Sequence, residues 1–446
     1  MKLVILGGGG FRVPLVYGAL LGDTGKPRVE EVVLHDVSTE RLRAIEHVLA
    51  RQAARHGRDL PVRTTTDLDD AVAGADFVFS AIRVGGLDGR TADERVALDH
   101  GLLGQETTGP GGIAYGLRTV PVAMHVAERV AALAPDAWVI NFTNPAGMIT
   151  EAMRGVLGDR VVGICDSPIG LIRRACAALG LDPARATPGY VGLNHLGWLR
   201  GLTYDGRDVL PDLLADDHAL QQVEEGRIFG ADWVRTLGAL PNEYLYYYYF
   251  NRESVAALGR QTRGEALLGQ QDRFYTEVCE HPSRALEVWE RTRRERDQSY
   301  MADTRDITDA GERDAVDLAA GGYEGIALAL MAAIARGEPS TMILNVRNGA
   351  AVPGLPADAV VEIPCSVTGA GIRPLATEPL PGRFLGLVQQ VKAVEQTTIE
   401  AALTRSPRLA VAAFALHPLV DSVSVARRLF EDYRARIPSF AAVFDA

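Results

Sequence analysis

A thiol and a carboxylate stand side by side at Cys165 and Asp166, where the apolar run VVGIC gives way to DSPIG. A thiolate can bind a metal ion, and a carboxylic acid beside a leaving group can donate a proton as a bond breaks. Free cysteine is also among the most buried residue types, so Cys165 taken alone is more often a core residue. Asp166 could likewise be the N-cap of a helix that begins at SPIGL. Partners from elsewhere in the chain must decide between these interpretations.

Three further segments carry polar groups that could join this pair. They contain Glu106 in GQET, Asn144 in TNPAG and His195 in GLNH. Each lies at the end of a strand-like run or in a glycine-rich turn, where open α/β sheets hold their ligands. Histidine is a common metal ligand, although an isolated histidine is more often a hydrogen-bonded core residue. A simple dehydrogenase would not need all of these segments.

The N-terminus carries a glycine loop between a strand-like run, KLVIL, and a helical segment. The loop is Gly7, Gly8, Gly9, Gly10, Phe11 and Arg12. Glycines in this place allow backbone amides to approach a pyrophosphate at a helix N-terminus, although the usual spacing has glycine at position 12. Asp36, after the run VVLH, could bind the ribose hydroxyls of NAD, or could cap the next helix. Loop and carboxylate together predict an NAD site.

The elements that must position these residues alternate regularly along the first part of the chain. Short runs rich in β-branched residues are KLVIL, EVVLHD, PVRTTT, DFVFSAI, WVINFT and RVVGIC, and amphipathic helical segments separate them. Such alternation predicts a Rossmann-like, doubly wound parallel sheet over residues 1–165. Residues 166–446 have longer helices around the strand-like TMILNVRN and AVVEIPCSV, which indicates a second, mixed α+β domain for catalysis, substrate binding and oligomerisation. The expected α/β architecture is that of lactate and malate dehydrogenases.

Charge and composition exclude several classes of function. The 446-residue chain has 46 Lys and Arg against 57 Asp and Glu, a formal net charge of −11. This charge argues against nucleic acid or an anionic membrane as partner, and leaves a small anionic substrate possible where positive charge is concentrated. No run approaches the roughly 20 apolar residues of a membrane span, and four scattered cysteines do not form a disulfide framework. We expect a cytoplasmic protein.

The chain resembles the family 4 glycoside hydrolases, the NAD- and divalent-metal-dependent glycosidases that include 6-phospho-α- and 6-phospho-β-glucosidases. The resemblance rests on the glycine loop and on four segments in the same order, GQETTGPGGIAYGLRTVP, NFTNPAGMITEA, ICDSPIG and GLNHLGW. It extends to NVRNGAAVPGLPADAVVEIPCSV at 345–367. It implies bound NAD, Mn²⁺ or another divalent metal, a phosphorylated sugar substrate, and a homodimer or homotetramer.

The resemblance also implies roles for individual residues. The metal ligands are Cys165 and His195, with substrate hydroxyls completing the shell, and the acid is Asp166. The base is Tyr244, the first tyrosine of YLYYYY. A phenol has a pKa near 10, so it needs a nearby cation to act as a base at neutral pH. Without the resemblance, a tyrosine cluster would indicate a core or an interface.

Four more positions follow from the same resemblance. Glu106 matches a residue that raises the basicity of the tyrosine, and Arg90, Asn144 and Arg263 match substrate-binding positions. An exposed arginine ion pair by itself contributes at most about 1 kcal/mol. As a group, however, these arginines could concentrate positive charge for an anionic sugar in an acidic protein.

The implied reaction is an elimination assisted by oxidation, and the NAD-dependent family is an exception to the two-carboxylate rule of glycosidases. NAD⁺ takes a hydride from sugar C3, which acidifies the hydrogen on C2, and the metal stabilises the enolate. Tyr244 removes the C2 proton while Asp166 assists departure at C1; water then adds and the redox step is reversed. The two motifs that bear on the anomer disagree: CDSP agrees with the 6-phospho-α-glucosidases, whereas LPNEYLYYYY resembles the β group. We favour a 6-phospho-β-glucosidase. The alternatives are a 6-phospho-α-glucoside or another C6-anionic glycoside as substrate.

Two other classes of function remain possible from the residues. An NAD-dependent hydroxyacid dehydrogenase would use His195 as proton acceptor, but leaves Cys165 and the tyrosines without a role. A nucleotide-sensing protein would bind NAD without metal-dependent turnover.

Overall fold

Six parallel strands form the N-terminal part of one sheet in a computed structural model that describes residues 1–258, 262–298 and 322–445. The strands are β1 Lys2–Leu6, β2 Glu31–His35, β3 Val62–Thr65, β4 Phe77–Ser80, β5 Trp138–Asn141 and β6 Val161–Gly163. Their order is β3-β2-β1-β4-β5-β6, with every neighbouring pair parallel. This is the order of a dinucleotide-binding sheet. The six predicted strands and the Rossmann-like class are therefore confirmed.

The strands of the C-terminal part extend the same sheet. They are β7 Thr187–Leu193, β8 Leu196–Tyr204, β9 Arg207–Asp208, β10 Leu240–Pro241, β11 Ser340–Arg347, β12 Val360–Thr368 and β13 Gly371–Pro374. β11 lies antiparallel beside β6, and the sheet continues through β12, β7, β8 and β10. Because the strands of both parts form one sheet, the domain boundary at residue 165 stays a prediction.

Helices cover the sheet and connect its strands. The α-helices of the described residues span Val13–Gly22, Thr39–His56, Leu68–Val72, Gly86–Asp99, Pro110–Leu133, Ala146–Leu157, Ser167–Ala178, Leu210–Ala215, Asp217–Gln222, Glu224–Phe229, Ala231–Leu237, Tyr246–Tyr249, Asn251–Ala257, Arg263–Glu280, Ala285–Gln298, Tyr323–Arg336, Gly382–Leu403, Pro407–Leu416, Val423–Arg436 and Pro438–Phe444. Short 3-10 helices span Gly158–Arg160, Pro183–Arg185, Glu243–Leu245 and Pro282–Arg284. None of the helices in the described ranges combines the length and apolar character that a membrane crossing demands.

Hydrophobic layers lie on both faces of the sheet, because successive residues of a strand point to opposite sides. Leu3 and Ile5 of β1 belong to one layer, whereas Val4 and Leu6 belong to the other, and all four side chains are fully buried. Both faces are thus closed by packing, as a parallel sheet requires. The edge at the carboxyl ends of the strands is left for ligands.

Candidate active site

A cavity of about 960 Å³ lies at the carboxyl ends of the parallel strands. It brings together thirteen of the residues singled out in the sequence. These are Gly7, Gly10, Phe11, Arg12, Asp36, Arg90, Glu106, Asn144, Cys165, Asp166, His195, Tyr244 and Arg263. Gly8 and Gly9 do not line the cavity. The placement fits the rule that open α/β sheets bind ligands at this edge.

The glycine loop turns sharply against β2. The amides of Gly7 and Gly8 both donate to the carbonyl of His35, at 2.9 and 2.8 Å. A Cβ on Gly8 would lie 2.6 Å from the Cβ of Leu34, and one on Gly9 would lie 2.7 Å from the Cβ of Arg41. Gly8 and Gly9 are thus needed for the loop to pack closely. Gly7 is needed as well, because it has φ +81° and its Cβ would lie 2.6 Å from the carbonyl oxygen of Ala81; Gly7 and Gly10 also line the cavity. Such a cradle fits the backbone approach that a dinucleotide pyrophosphate needs.

Asp36 lies between the loop and the next helix. Its Oδ2 accepts a hydrogen bond from the amide of Gly9 and its Oδ1 one from the amide of Ser38, both at 3.0 Å. The N-cap of helix Thr39–His56 is Ser38, whose Oγ accepts from the amide of Arg41 at 3.2 Å. The helix-capping alternative for Asp36 is therefore wrong, and its carboxylate borders the cavity.

Three aromatic side chains from the C-terminal part hold the carbonyls of the same loop. Tyr275 donates to the carbonyl of Gly9 at 2.7 Å, and Trp289 Nε1 donates to that of Phe11 at 2.9 Å. Tyr323 donates to the carbonyl of Arg12 at 3.0 Å. Both parts of the chain therefore build one site.

Cys165 and His195 point towards each other at the centre of the cavity. Sγ and Nε2 are 3.6 Å apart, a separation that two ligands of one metal ion can adopt. His195 has φ +63° in the two-residue turn between β7 and β8, which directs its ring to the end of β6. Burial lowers the pKa of His195 to about 4, so the imidazole is neutral and able to bind a metal at neutral pH. Burial raises the pKa of the Cys165 thiol, and metal binding would oppose this effect because it requires the thiolate.

Tyr244 lies directly against the metal-ligand candidate. Its ring is parallel to that of His195, with 3.6 Å between centroids and 2° between planes. The amide of Tyr244 donates to Asn242 Oδ1 at 3.1 Å, which fixes the short 3-10 helix Glu243–Leu245. Tyr246 is buried in the core, whereas Tyr244 and Tyr247 line the cavity. The tyrosine cluster is thus divided between packing and the site.

Asp166 precedes helix Ser167–Ala178, but its side chain makes no capping hydrogen bond to that helix. The next residue, Ser167, donates from Oγ to Glu243 Oε1 at 3.0 Å. Because Glu243 adjoins Tyr244 in the chain, this bond ties the backbone that carries Asp166 to the backbone that carries Tyr244. The carboxylate of Asp166 is left to face the cavity.

Two arginines keep the carboxyl group of Glu106 in its ionised form. Its carboxylate oxygens lie 2.7 Å from Arg83 Nη1 and 2.9 Å from Arg90 Nη1. Burial acts to raise the pKa of Glu106, but the charges of Arg83 and Arg90 outweigh burial and lower this pKa to about 2. Arg90 also donates from Nε to Glu94 Oε1 at 2.9 Å. The predicted substrate arginine is thus held in place by two carboxylates.

Guanidinium groups gather on one side of the cavity. Arg12, Arg83, Arg90, Arg263 and Arg296 all line it. Arg263 Nη2 donates to the carbonyl of Arg296 at 3.2 Å. Burial, and then the charges of Arg12 and Arg263, lower the pKa of Arg296 well below its usual range. Such crowding of like charge favours an anionic ligand. Sequence reasoning missed Arg296 because the run RTRRERDQ is typical of an exposed helix face.

Comparison with known proteins decides the family. The model described as "Family 4 glycosyl hydrolase" matches residues 2–181, and that of the "Family 4 glycosyl hydrolase C-terminal domain" matches residues 190–420. The chain belongs to family 4 of the glycosyl hydrolases. The resemblance stated from the motifs is therefore confirmed.

Several family members are similar to the chain over almost its whole length. A probable 6-phospho-β-glucosidase of Bacillus subtilis (strain 168) is 30% identical, over 99% of this chain and 98% of that protein. A 6-phospho-β-glucosidase of Thermotoga maritima, solved with manganese, NAD⁺ and glucose-6-phosphate, has a TM-score of 0.81 and 27% identity over 98% of both chains. A 6-phospho-α-glucosidase from gut microorganisms, solved with NAD and Mn²⁺, has a TM-score of 0.79 and 26% identity over 97% of both.

The expected likeness to dehydrogenases holds for the fold. A malate dehydrogenase of Salinibacter ruber has a TM-score of 0.51 at 14% identity, over 91% of this chain and 98% of that one. The family 4 chain and the dehydrogenase thus share an architecture.

Glu362 is a buried carboxylate of this family 4 chain that sequence reasoning missed. It lies on β12 and accepts hydrogen bonds from Tyr190 Oη at 3.1 Å, Asn194 Nδ2 at 3.1 Å and Asn345 Nδ2 at 2.9 Å. Burial raises the pKa of Glu362 to about 7 although these donors lower it. Asn194 precedes His195, so Glu362 anchors the turn that carries His195. A carboxylate within the apolar run AVVEIPCSV was the signal available in the sequence.

Glu106 is expected to stabilise the fold against acid. Its pKa is about 2 in the folded protein against the usual 4.5, so the folded state binds fewer protons than the unfolded state. This stabilisation, about 3 kcal/mol, is complete above pH 4.5 and is lost as the pH falls towards 2. Urea unfolding at pH 7, 5 and 3 should therefore show that Glu106→Gln lowers the free energy of unfolding most at pH 7 and least at pH 3. Asp136→Asn, which changes an exposed carboxylate 3.6 Å from Arg160, is the control without effect. A deficit of Glu106→Gln that is the same at all three pH values would contradict the assignment.

Proposed function

We propose that this chain hydrolyses 6-phospho-glucosides with bound NAD and a divalent metal, with the β-anomer favoured. The observation that carries the proposal is the meeting of Cys165 Sγ, His195 Nε2 and the Tyr244 ring in the cavity that the glycine loop also lines. A dinucleotide fold and a metal-ligand pair in one cavity are what an oxidation-assisted elimination requires. The family members solved with NAD and manganese support this proposal.

The residues present fit both groups. Gly7 and Gly10 line the cavity without a side chain, which suits a dinucleotide backbone, and a thiol and a neutral imidazole converge on one point. Among the described residues no cluster of three His, Cys, Asp or Glu side chains could hold a metal, so substrate hydroxyls are expected to complete its coordination. When bound, NAD supplies reversible oxidation at sugar C3 and a divalent metal supplies charge stabilisation at the oxygens of C2 and C3.

The side chains of the cavity carry the proton transfers. Tyr244 takes the proton from C2, and its parallel contact with His195 keeps the phenol beside the metal-ligand pair. Asp166, free of a capping role, gives a proton to the oxygen that leaves C1. The bond between Ser167 and Glu243 keeps these two residues on fixed backbone. Water then adds at C1: Asp166 takes a proton from this water, and Tyr244 gives its proton back to C2.

The arginines of the cavity support a phosphate on the sugar. Arg12, Arg263 and Arg296 are close enough for their charges to affect one another, in a protein whose net charge is −11. A dianionic phosphate satisfies such a group by charge-assisted hydrogen bonds. Asn144 lines the same cavity, and we assign it to the sugar hydroxyls.

Turnover of paired glucosides tests this function. Protein, NAD⁺ and Mn²⁺ are incubated with chromogenic α- and β-glucosides, each with and without a 6-phosphate. We expect hydrolysis of the 6-phospho-β-glucoside, loss of this activity with EDTA, and no accumulation of NADH. Preference for the α-anomer would correct the anomeric assignment alone, whereas NADH accumulating with turnover would instead indicate a dehydrogenase. NAD binding without turnover of any glycoside would indicate a sensing protein.

We also propose a cytoplasmic homodimer or homotetramer. All four cysteines are free thiols, which suits a reducing compartment. Light scattering after size-exclusion chromatography measures the mass in solution, and a monomer would contradict the oligomeric proposal.

A further inference from the structure

We propose that Gln105 and Thr107 determine which ring nitrogen of His195 carries the proton, and so keep Nε2 open for the metal. The inference deepens the proposed function. Only the role of Nε2 as a metal ligand rests on that function; the position of the ring proton does not. Neither residue lies in the metal-binding pair; both are positioning residues on the loop between helix Gly86–Asp99 and helix Pro110–Leu133.

The Thr107 hydroxyl has two neighbours but only one proton. Its Oγ1 donates to Gln105 Oε1 at 3.1 Å and lies 2.9 Å from His195 Nδ1. An amide oxygen has no proton to give, so the contact with Gln105 is a hydrogen bond only with Thr107 as the donor, and we assign the hydroxyl proton to it. The second contact is then a hydrogen bond only if Nδ1–H of His195 is the donor. The neutral ring therefore has its lone pair on Nε2, the atom 3.6 Å from Cys165 Sγ.

The orientation of the Gln105 amide is itself determined by backbone donors. Its Oε1 also accepts from the amides of Thr107 and Thr108, both at 2.6 Å. With the amide reversed, an NH₂ group would face two backbone N–H groups and both bonds would be lost. The Gln105 oxygen is thus kept as an acceptor for the Thr107 hydroxyl.

The loop is seated tightly on the first turn of the helix that follows. A Cβ on Gly111 would lie 2.2 Å from the carbonyl oxygen of Gln105, and one on Gly112 would lie 2.3 Å from that of Thr107. Only glycine allows this contact, which accounts for the two glycines at 111 and 112. The loop therefore presents the Thr107 hydroxyl at a constant place.

His195 is restrained from its other sides as well. Tyr244 stacks on the ring face, and Asn194, the preceding residue, is bonded to Glu362. The ring can therefore change its proton position but not its direction. A proton on Nε2 would have to leave or move before the nitrogen could bind a metal, which weakens binding. Loss of a residue that is hydrogen-bonded to a metal ligand, as Thr107 is to His195, typically lowers metal affinity by about 10- to 100-fold.

Nitrogen NMR of histidine-labelled, metal-free protein tests the inference directly. The signals of His195 are assigned by their loss in His195→Gln. We expect a protonated Nδ1 and an unprotonated Nε2 in the wild type. Thr107→Val removes the oxygen that accepts from Nδ1–H, and Gln105→Ala leaves the Thr107 hydroxyl proton to be donated to Nδ1. In both variants the population of the Nε2–H form should increase. Thr107→Ser and Gln105→Glu keep the donor and acceptor and should retain the wild-type form.

Titration with Mn²⁺ in the presence of NAD⁺, followed by electron paramagnetic resonance of free Mn²⁺, gives the second readout. We expect Thr107→Val to bind about 10- to 100-fold more weakly and Thr107→Ser to be close to wild type. Thr119→Val, a buried threonine on helix Pro110–Leu133, is the matched control and should bind as wild type. An Nε2–H form in the wild type, or unchanged NMR signals and Mn²⁺ affinity in Thr107→Val, would overturn the inference. Absence of glycosidase activity would refute the proposed function and leave the tautomer result standing.

Discussion

Tyr244→Phe is expected to lower kcat by about 10²- to 10⁴-fold, the range for loss of a positioned general base. Phenylalanine keeps the ring that stacks on His195 at 3.6 Å and removes only the phenol oxygen. Because the stacking is preserved, the affinities for NAD⁺ and Mn²⁺ should stay close to those of the wild type. Steady-state kinetics on the 6-phospho-β-glucoside measures the loss, and isothermal titration measures the affinities.

A neighbouring tyrosine provides the control for this result. Tyr247 also lines the cavity, with its ring 6.0 Å from that of Tyr244, so Tyr247→Phe removes a phenol nearby without removing the proposed base. We expect its kcat to fall by less than about 10-fold. Product made by the wild type in D₂O should carry deuterium at C2. If every product molecule retains its original hydrogen there, or if Tyr244→Phe is as active as Tyr247→Phe, Tyr244 is not the base.

Cys165→Ser is expected to weaken Mn²⁺ binding by more than about 100-fold. This loss is larger than the usual loss when a residue that is only hydrogen-bonded to a metal ligand is replaced. Serine has nearly the shape of cysteine, but a neutral hydroxyl replaces a thiolate that would be bound with His195 Nε2. Since Cys165 lines the cavity, a hydroxyl there has polar surroundings, and we expect little change in thermal stability. Mn²⁺ titration and thermal unfolding measure the two effects.

The matched control is a cysteine of the core. Cys176 is fully buried in helix Ser167–Ala178, away from the cavity lining. Cys176→Ser should therefore cost about 1–3 kcal/mol of stability, because a hydroxyl is buried among apolar groups, and should leave Mn²⁺ affinity unchanged. A Cys165→Ser variant that behaves like Cys176→Ser, less stable but with its metal response intact, would show that Cys165 is a packing residue.

The features that the sequence alone determined are those carried by local patterns. Hydrophobic runs alternating with amphipathic segments predicted all six strands of the dinucleotide-binding sheet, because periodicity and β-branched content act over a few residues. The glycines of residues 7–10 indicated a close backbone approach, and the loop indeed packs where a Cβ would collide. The order of separated motifs identified the family. The roles of Asp166, Tyr244 and the other site residues stay predictions, although the structure gathers them in one cavity.

The tertiary structure alone decided which distant residues complete the site. The donors that hold the glycine loop, Tyr275, Trp289 and Tyr323, are separated from their acceptors by 266, 278 and 311 residues. Glu362 reaches the turn that carries His195 only because β12 lies beside β7 in the extended sheet. Hydrogen bonds and charge interactions of this kind depend on distances of a few ångströms, which the local pattern of a chain does not encode. Sequence therefore determined the strands and the motifs at their ends, and the packing of one part of the chain on the other determined the chemistry around each side chain.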